Sequence, residues 1–127
     1  MPVDEPDPKA LVTGYLAAME ARDLATASSV LDDGFEMVFP GTGPMTSLTE
    51  LVDWANGRYR FVRKTSHAAE VLDGEDVTVV YVRGVLRGEW PDGHPFEGIR
   101  FIDRFEVSGG LITRQDVWND LAEVRAG

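Results

Sequence analysis

Gly98-Ile99-Arg100-Phe101-Ile102-Asp103-Arg104-Phe105-Glu106-Val107 alternates with a period of two, the mark of a β-strand buried on one face. Phe101, Asp103, Phe105 and Val107 share one side; Arg100, Ile102, Arg104 and Glu106 share the other. Two phenylalanines and a valine make the first side the inward one. Asp103 goes in with them, away from both arginines. Desolvation disfavours a charged carboxylate, so such an aspartate is either paired or holds its proton to a raised pKa. Both outcomes gather at functional sites.

The residues that follow set the partner strand. Gly109-Gly110 suits a two-residue hairpin loop, because both central positions of a type I′ turn need positive φ. That loop pairs Ser108 with Leu111 and then, counting back, Phe105 with Arg114, Asp103 with Asp116 and Phe101 with Trp118. Directly opposed side chains on one face have Cβ atoms about 4.5–5.5 Å apart. Two carboxylates that close do not both ionise readily, and the pair offers a proton donor beside an acceptor. Arg114, a diagonal neighbour, tempers the repulsion. A longer loop or a glycine bulge shifts the register by one and turns Gln115 toward Asp103 instead. The plainer alternative is a surface ion pair between Arg114 and Asp116, with Asp103 only satisfying a buried hydroxyl.

Working outward, His67 to Leu72 and Val77 to Leu86 read as two further strands, separated by Asp73-Gly74-Glu75-Asp76. Trp90-Pro91-Asp92-Gly93-His94-Pro95 is a turn cluster. The second half of the chain is thus a four-strand antiparallel meander. The first half is helical. Asp7-Pro8 starts a helix with an N-cap and a proline at the first position, and Leu11, Val12, Tyr15, Leu16 and Met19 form its apolar stripe. Asp23 caps a second short helix through Leu31. Asp32-Asp33-Gly34 reads as a turn, and Phe35 to Phe39 as a short strand. Ser47-Leu48-Thr49-Glu50 is a capping box ahead of a third helix with Leu48, Leu51, Val52, Ala55 and Tyr59 on one side. Helices followed by strands indicate an α+β fold with the helices on one sheet face. Residues 1–7 read as a flexible tail and 8–122 as one domain.

The 127 residues, 43% of them hydrophobic, suffice for one core. A net charge of −10 excludes the basic footprint that nucleic acids and anionic membrane surfaces require. No apolar run reaches the ~20 residues of a membrane helix. Absence of cysteine removes thiol catalysis, disulfides and cysteine metal sites, and fits a cytoplasmic location. Arginine outnumbers lysine ten to two, as in proteins from GC-rich bacteria. His67 and His94 lack metal-ligand spacing, so no metal is expected. No phosphate-binding, dinucleotide-binding or nucleophile-elbow pattern occurs, so no cofactor is expected. Tyr15 sits mid-stripe on the first helix. A buried phenol needs a partner, and Asp103 is the natural one. Phe39, Trp54, Phe61 and Trp118 are candidates to line an apolar pocket, with Phe101 and Phe105 on the inward strand face.

Four stretches carry a resemblance: Tyr15 to Leu24, Phe35 to Gly41, Ile102 to Phe105, and Gly110 to Thr113 with Asp116. In these the chain resembles the nuclear transport factor 2-like superfamily, in its SnoaL-like branch. The resemblance implies a curved sheet wrapped by helices into a cone, a roll with a central pocket, and a homodimer formed through the sheet face of Arg100, Ile102, Arg104 and Glu106. Superfamily members include ketosteroid isomerases, polyketide cyclases, limonene-epoxide hydrolases, scytalone dehydratases and binding domains, so fold leaves function open. In ketosteroid isomerases a tyrosine on the first helix and a protonated aspartic acid on the sheet form the oxyanion hole; Tyr15 and Asp103 match them. The base of those isomerases precedes the proline that ends the first strand, and Phe39 stands there instead. The hydrolases' Arg-x-Asp motif meets Val80-Tyr81-Val82-Arg83 and is absent. SnoaL-like cyclases carry an acid/base aspartate on the last strand, where Asp116 falls. The resemblance therefore implies cofactor-free acid/base chemistry on an apolar or polycyclic substrate (isomerisation, cyclisation or dehydration), with Asp116 as base and Tyr15 with neutral Asp103 stabilising an enolate. The alternative is a non-catalytic ligand-binding or dimerisation module.

Overall fold

Three helix starts use the caps expected of them. The Asp7 carboxylate accepts from the Ala10 backbone N–H at 3.1 Å, with Pro8 opening α1 (Pro8–Glu20). Asp23 does the same for α2 (Leu24–Ser28). Ser47 Oγ accepts from the Glu50 N–H at 3.2 Å at the start of α3 (Leu48–Asn56), and Glu50 reaches back to the Thr46 N–H at 3.1 Å. These contacts satisfy N–H groups that a helix start leaves orphaned. The computed structural model describes residues 7–125. Residues 1–6 of the expected tail lie outside the described residues.

Five strands form one curved sheet in the order β1-β5-β4-β3-β2: β1 (Leu31–Val38), β2 (Phe61–Asp73), β3 (Thr78–Glu89), β4 (Pro95–Ser108) and β5 (Leu111–Asn119). A short helix, α4 (Leu121–Arg125), closes the described chain. β2 to β5 form the expected antiparallel meander. β1 pairs in parallel with β5, which a meander did not foresee. Four boundaries also differ. α2 stops at Ser28 and the chain turns directly into β1. Asp32-Asp33-Gly34 lies inside β1 as an irregularity, where Asp32 accepts from the Gly34 N–H at 2.9 Å. Tyr59 lies beyond the end of α3. β2 begins six residues before His67, and its charged, exposed side chains suit a sheet edge.

The core lies between α1 and the inner sheet face. Val12, Tyr15 and Met19 meet Val80, Val82, Phe105 and Ile112, all buried. Full burial of such a side chain contributes about 1.5–3 kcal/mol. After β1 the chain folds back on itself: Met37 and Met45 exchange both backbone hydrogen bonds, at 2.9 and 2.8 Å. That clasp carries α3 over the open end of the sheet.

The hairpin between β4 and β5 decides which side chains face inward. Its loop is the predicted one, with Gly109 and Gly110 at φ of +61° and +79° and Ser108 opposite Leu111. One residue further, β5 bulges. Val107 pairs with Ile112 but Glu106 pairs with Arg114, leaving Thr113 unopposed. The Thr113 hydroxyl donates to the Glu106 carbonyl at 3.2 Å. From there on every pair is shifted by one: Phe105 faces Gln115, Asp103 faces Val117 and Phe101 faces Asn119. The expected Asp103–Asp116 pairing does not form.

Candidate functional site

A cavity of about 120 Å³ lies between α1, α3 and the inner sheet face. Its floor is polar and buried. The Tyr15 hydroxyl donates to Gln115 Oε1 at 3.2 Å, and the Gln115 amide N–H side is turned to the Asp103 carboxyl. Gln115 therefore stands between the tyrosine and the aspartate, where direct contact was expected. It is 3% exposed and Asp103 6%. Burial pushes the Asp103 carboxyl up to about 7, against the smaller opposing pull of the Lys64 ammonium and the Gln115 hydrogen bond. Burial, with the Asp103 charge nearby, raises the Tyr15 phenol too. Lys64 Nζ stands 5.4 Å from the centre of the Phe101 ring and 3.9 Å from a Glu20 carboxylate oxygen.

The walls are apolar. Phe39 and Trp54 lie with ring centres 5.3 Å apart, and Leu51, Val62, Leu86 and Val117 complete the enclosure. The Arg58 guanidinium lies 4.5 Å above the Trp54 ring. Tyr59 also lines the cavity, its phenol raised by burial.

Tyr15, Asp103, Phe39, Trp54 and Phe101 thus meet in one cavity. Five other candidates do not join them. Asp116, Arg114 and Trp118 fall on the opposite sheet face, because the Thr113 bulge reverses their side. There Arg114 makes a bidentate pair with Asp116 at 2.9 and 3.0 Å, and Trp118 is 55% exposed. Asp116 cannot act as a base on a ligand in the cavity. Phe105 is fully buried edge-on to Tyr15, with ring centres 5.9 Å apart, and supports the tyrosine from outside the cavity lining. Phe61 also lies outside the lining and sits beside Arg63 and Arg87. Among the described residues no three histidine or carboxylate side chains are grouped to hold a metal ion.

The SnoaL-like domain family matches residues 12–115. This chain belongs to that family. No curated protein matches the SnoaL-like chain, but solved structures do. TerC, co-crystallised with polyporic acid, is 18% identical, with 91% of this chain and 93% of that one covered and a TM-score of 0.72. A nuclear transport factor 2-like protein of unknown function from Burkholderia pseudomallei is 16% identical over 91% and 92%, also at 0.72. A candidate polyketide cyclase from Xanthomonas campestris is 16% identical over 92% and 93%, again at 0.72. At these identities the likeness establishes the fold alone.

Sequence reasoning left several cavity residues of this SnoaL-like domain out of the expected site: Gln115, Lys64, Arg58, Arg22 and Glu20. Gln115 was visible as the outcome of a shifted register. The charged residues carried no signal, because each lies at an element end or strand edge, where a charge ordinarily faces water.

Proposed function

We propose that this SnoaL-like domain binds a small, ring-bearing, largely apolar molecule in the cavity, with its oxygen at the buried Asp103–Gln115–Tyr15 floor. The carrying observation is an apolar enclosure that ends in one chain of hydrogen-bonding groups, the usual anatomy of a ligand site. The co-crystal of TerC with polyporic acid supports a small-molecule ligand for the fold. Calorimetric titration with naphthalene-2-carboxamide tests it. Leu51→Trp, which fills the cavity, should weaken binding at least tenfold. Undetectable binding to the unaltered protein, or equal binding by the filled variant, would overturn it.

A catalytic role is favoured by one observation, the carboxyl of Asp103 lifted to about 7. An acid/base group works best with a pKa near the operating pH. With Asp116 on the far face, Asp103 is the group left to exchange a proton with a carbon acid, as in cofactor-free isomerisation or aldol-type cyclisation. The likeness to the Xanthomonas campestris protein is consistent with such chemistry. Loss of deuterium exchange at the α-carbons of 2-tetralone in Asp103→Asn, with carboxamide binding retained, would support it. Exchange no faster than in buffer would leave binding alone.

The outer face suits a second copy of the chain. Ile102 and Trp118 are paired neighbours there, 44% and 55% exposed, with Tyr81 opposite Arg104 on the adjoining strand. Charges flank this apolar centre, as in a dimer interface. Among the described residues no helix is long and apolar enough to cross a membrane.

A further inference from the structure

The chain carries 22 acidic residues against 12 basic ones, yet three of those basic residues, Arg22, Arg58 and Lys64, line one small cavity. Their partners differ. Lys64 is held by Glu20 at 3.9 Å. Arg60, Arg63, Arg83, Arg100, Arg104 and Arg114 each have a carboxylate within ion-pair distance. Among the described residues Arg22, Arg58 and Arg87 have none, and of these Arg87 lies outside the cavity, beside Phe61. Arg22 gives one N–H to the Met19 carbonyl at 2.8 Å, and its backbone is left-handed at φ +57°. The Arg58 guanidinium lies over Trp54, and its Nε is buried without a hydrogen-bond partner. Both guanidinium charges act on the same phenol, Tyr59, and so stand at one end of the cavity. Arg22 is exposed and Arg58 half-buried, which makes that end the mouth.

A buried N–H without an acceptor is costly and rare in native proteins. Two uncompensated arginines in a strongly acidic chain are also a local reversal of charge. An acceptor that is itself anionic answers both. The ring walls of Phe39 and Trp54 set its shape. We propose that the ligand is a flat ring bearing, at the end away from the oxygen at the floor, an ionised acidic oxygen (a carboxylate, phenolate or enolate), with the ring against Trp54 and this ionised oxygen at Arg58, Arg22 lying beside it. This assignment rests on the cavity being a small-molecule site, and it places the charged end of the ligand opposite the Asp103 floor.

Two probes of the same ring test it: naphthalene-2-carboxylate and the neutral naphthalene-2-carboxamide, titrated calorimetrically at pH 7. The carboxylate should bind at least tenfold tighter. Arg58→Met should weaken the carboxylate about tenfold and leave the carboxamide within about twofold. Arg22→Asn, chosen because asparagine tolerates the left-handed backbone, should weaken the carboxylate about threefold. Raising salt should weaken the carboxylate alone, a measurement that stands even where Arg58→Met fails to fold. Equal binding of the two probes, or an undiminished preference in folded Arg58→Met, overturns the anionic ligand and leaves the pocket. Failure of both probes to bind overturns the pocket together with the proposal.

Discussion

Asp103 is buried for the reason its strand suggests: it occupies an inward position between Phe101 and Phe105. Its effect on stability has a definite sign. The folded carboxyl is raised to about 7 from an ordinary 3.8. Between those values the unfolded chain releases a proton that the folded chain keeps, so stability falls as pH rises through this window. Below about 4 both states are protonated and the penalty vanishes. Asp103→Asn removes the titration. It should raise stability at pH 7 by up to about 4 kcal/mol relative to its effect at pH 4. Urea unfolding at the two pH values measures it, and a loss of stability at pH 7 alone would mean an ionised, paired carboxylate. Asp116→Asn should behave differently. It breaks a pair on the outer face, should cost about 1 kcal/mol or less, and should leave cavity binding unchanged by calorimetry.

At the scale of elements, α3 matters because it carries Leu51, Trp54 and Ala55 to the cavity. Its start is held by Ser47. Ser47→Ala should cost about 1 kcal/mol in thermal or urea unfolding. The β4–β5 hairpin shows where sequence stopped being legible. Helix caps, strand alternation and the Gly109–Gly110 turn are local signals, and those elements could be read directly. The bulge at Thr113 is not local. It is set by which side chains of β5 pack best under α1 and beside β1, and both faces of β5 are mixed. Tyr15 and Asp103 were therefore legible, and their bridge, Gln115, was legible only as an alternative. Thr113→Val should cost about 1 kcal/mol through the lost hydrogen bond to Glu106. Inserting an alanine between Arg114 and Gln115 should cost several times more, because the inward set of Gln115, Val117 and Asn119 would turn outward. Comparison of the two by denaturant unfolding separates hydrogen bond from register.

At the scale of the molecule the sheet has two working faces, one under the helices and one open. The open face should pair two copies of the 14.0 kDa chain. Light scattering should report about twice that mass, and Trp118→Glu should return it to the monomer while cavity binding stays as it was. A monomer in the unaltered protein at micromolar concentration would remove the dimer.

The strands that build both faces are the same strands, and their letters alternate. Gln115 serves the cavity while Arg114 and Asp116 serve the open side, one peptide unit apart. Point substitution can therefore retune either inventory without touching its neighbour. A residue gained in β5 between Arg114 and Gln115 does something else: it exchanges the two inventories wholesale. Descent within this lineage could reach a new pocket chemistry by inserting one residue in a hairpin, with no catalytic residue ever replaced.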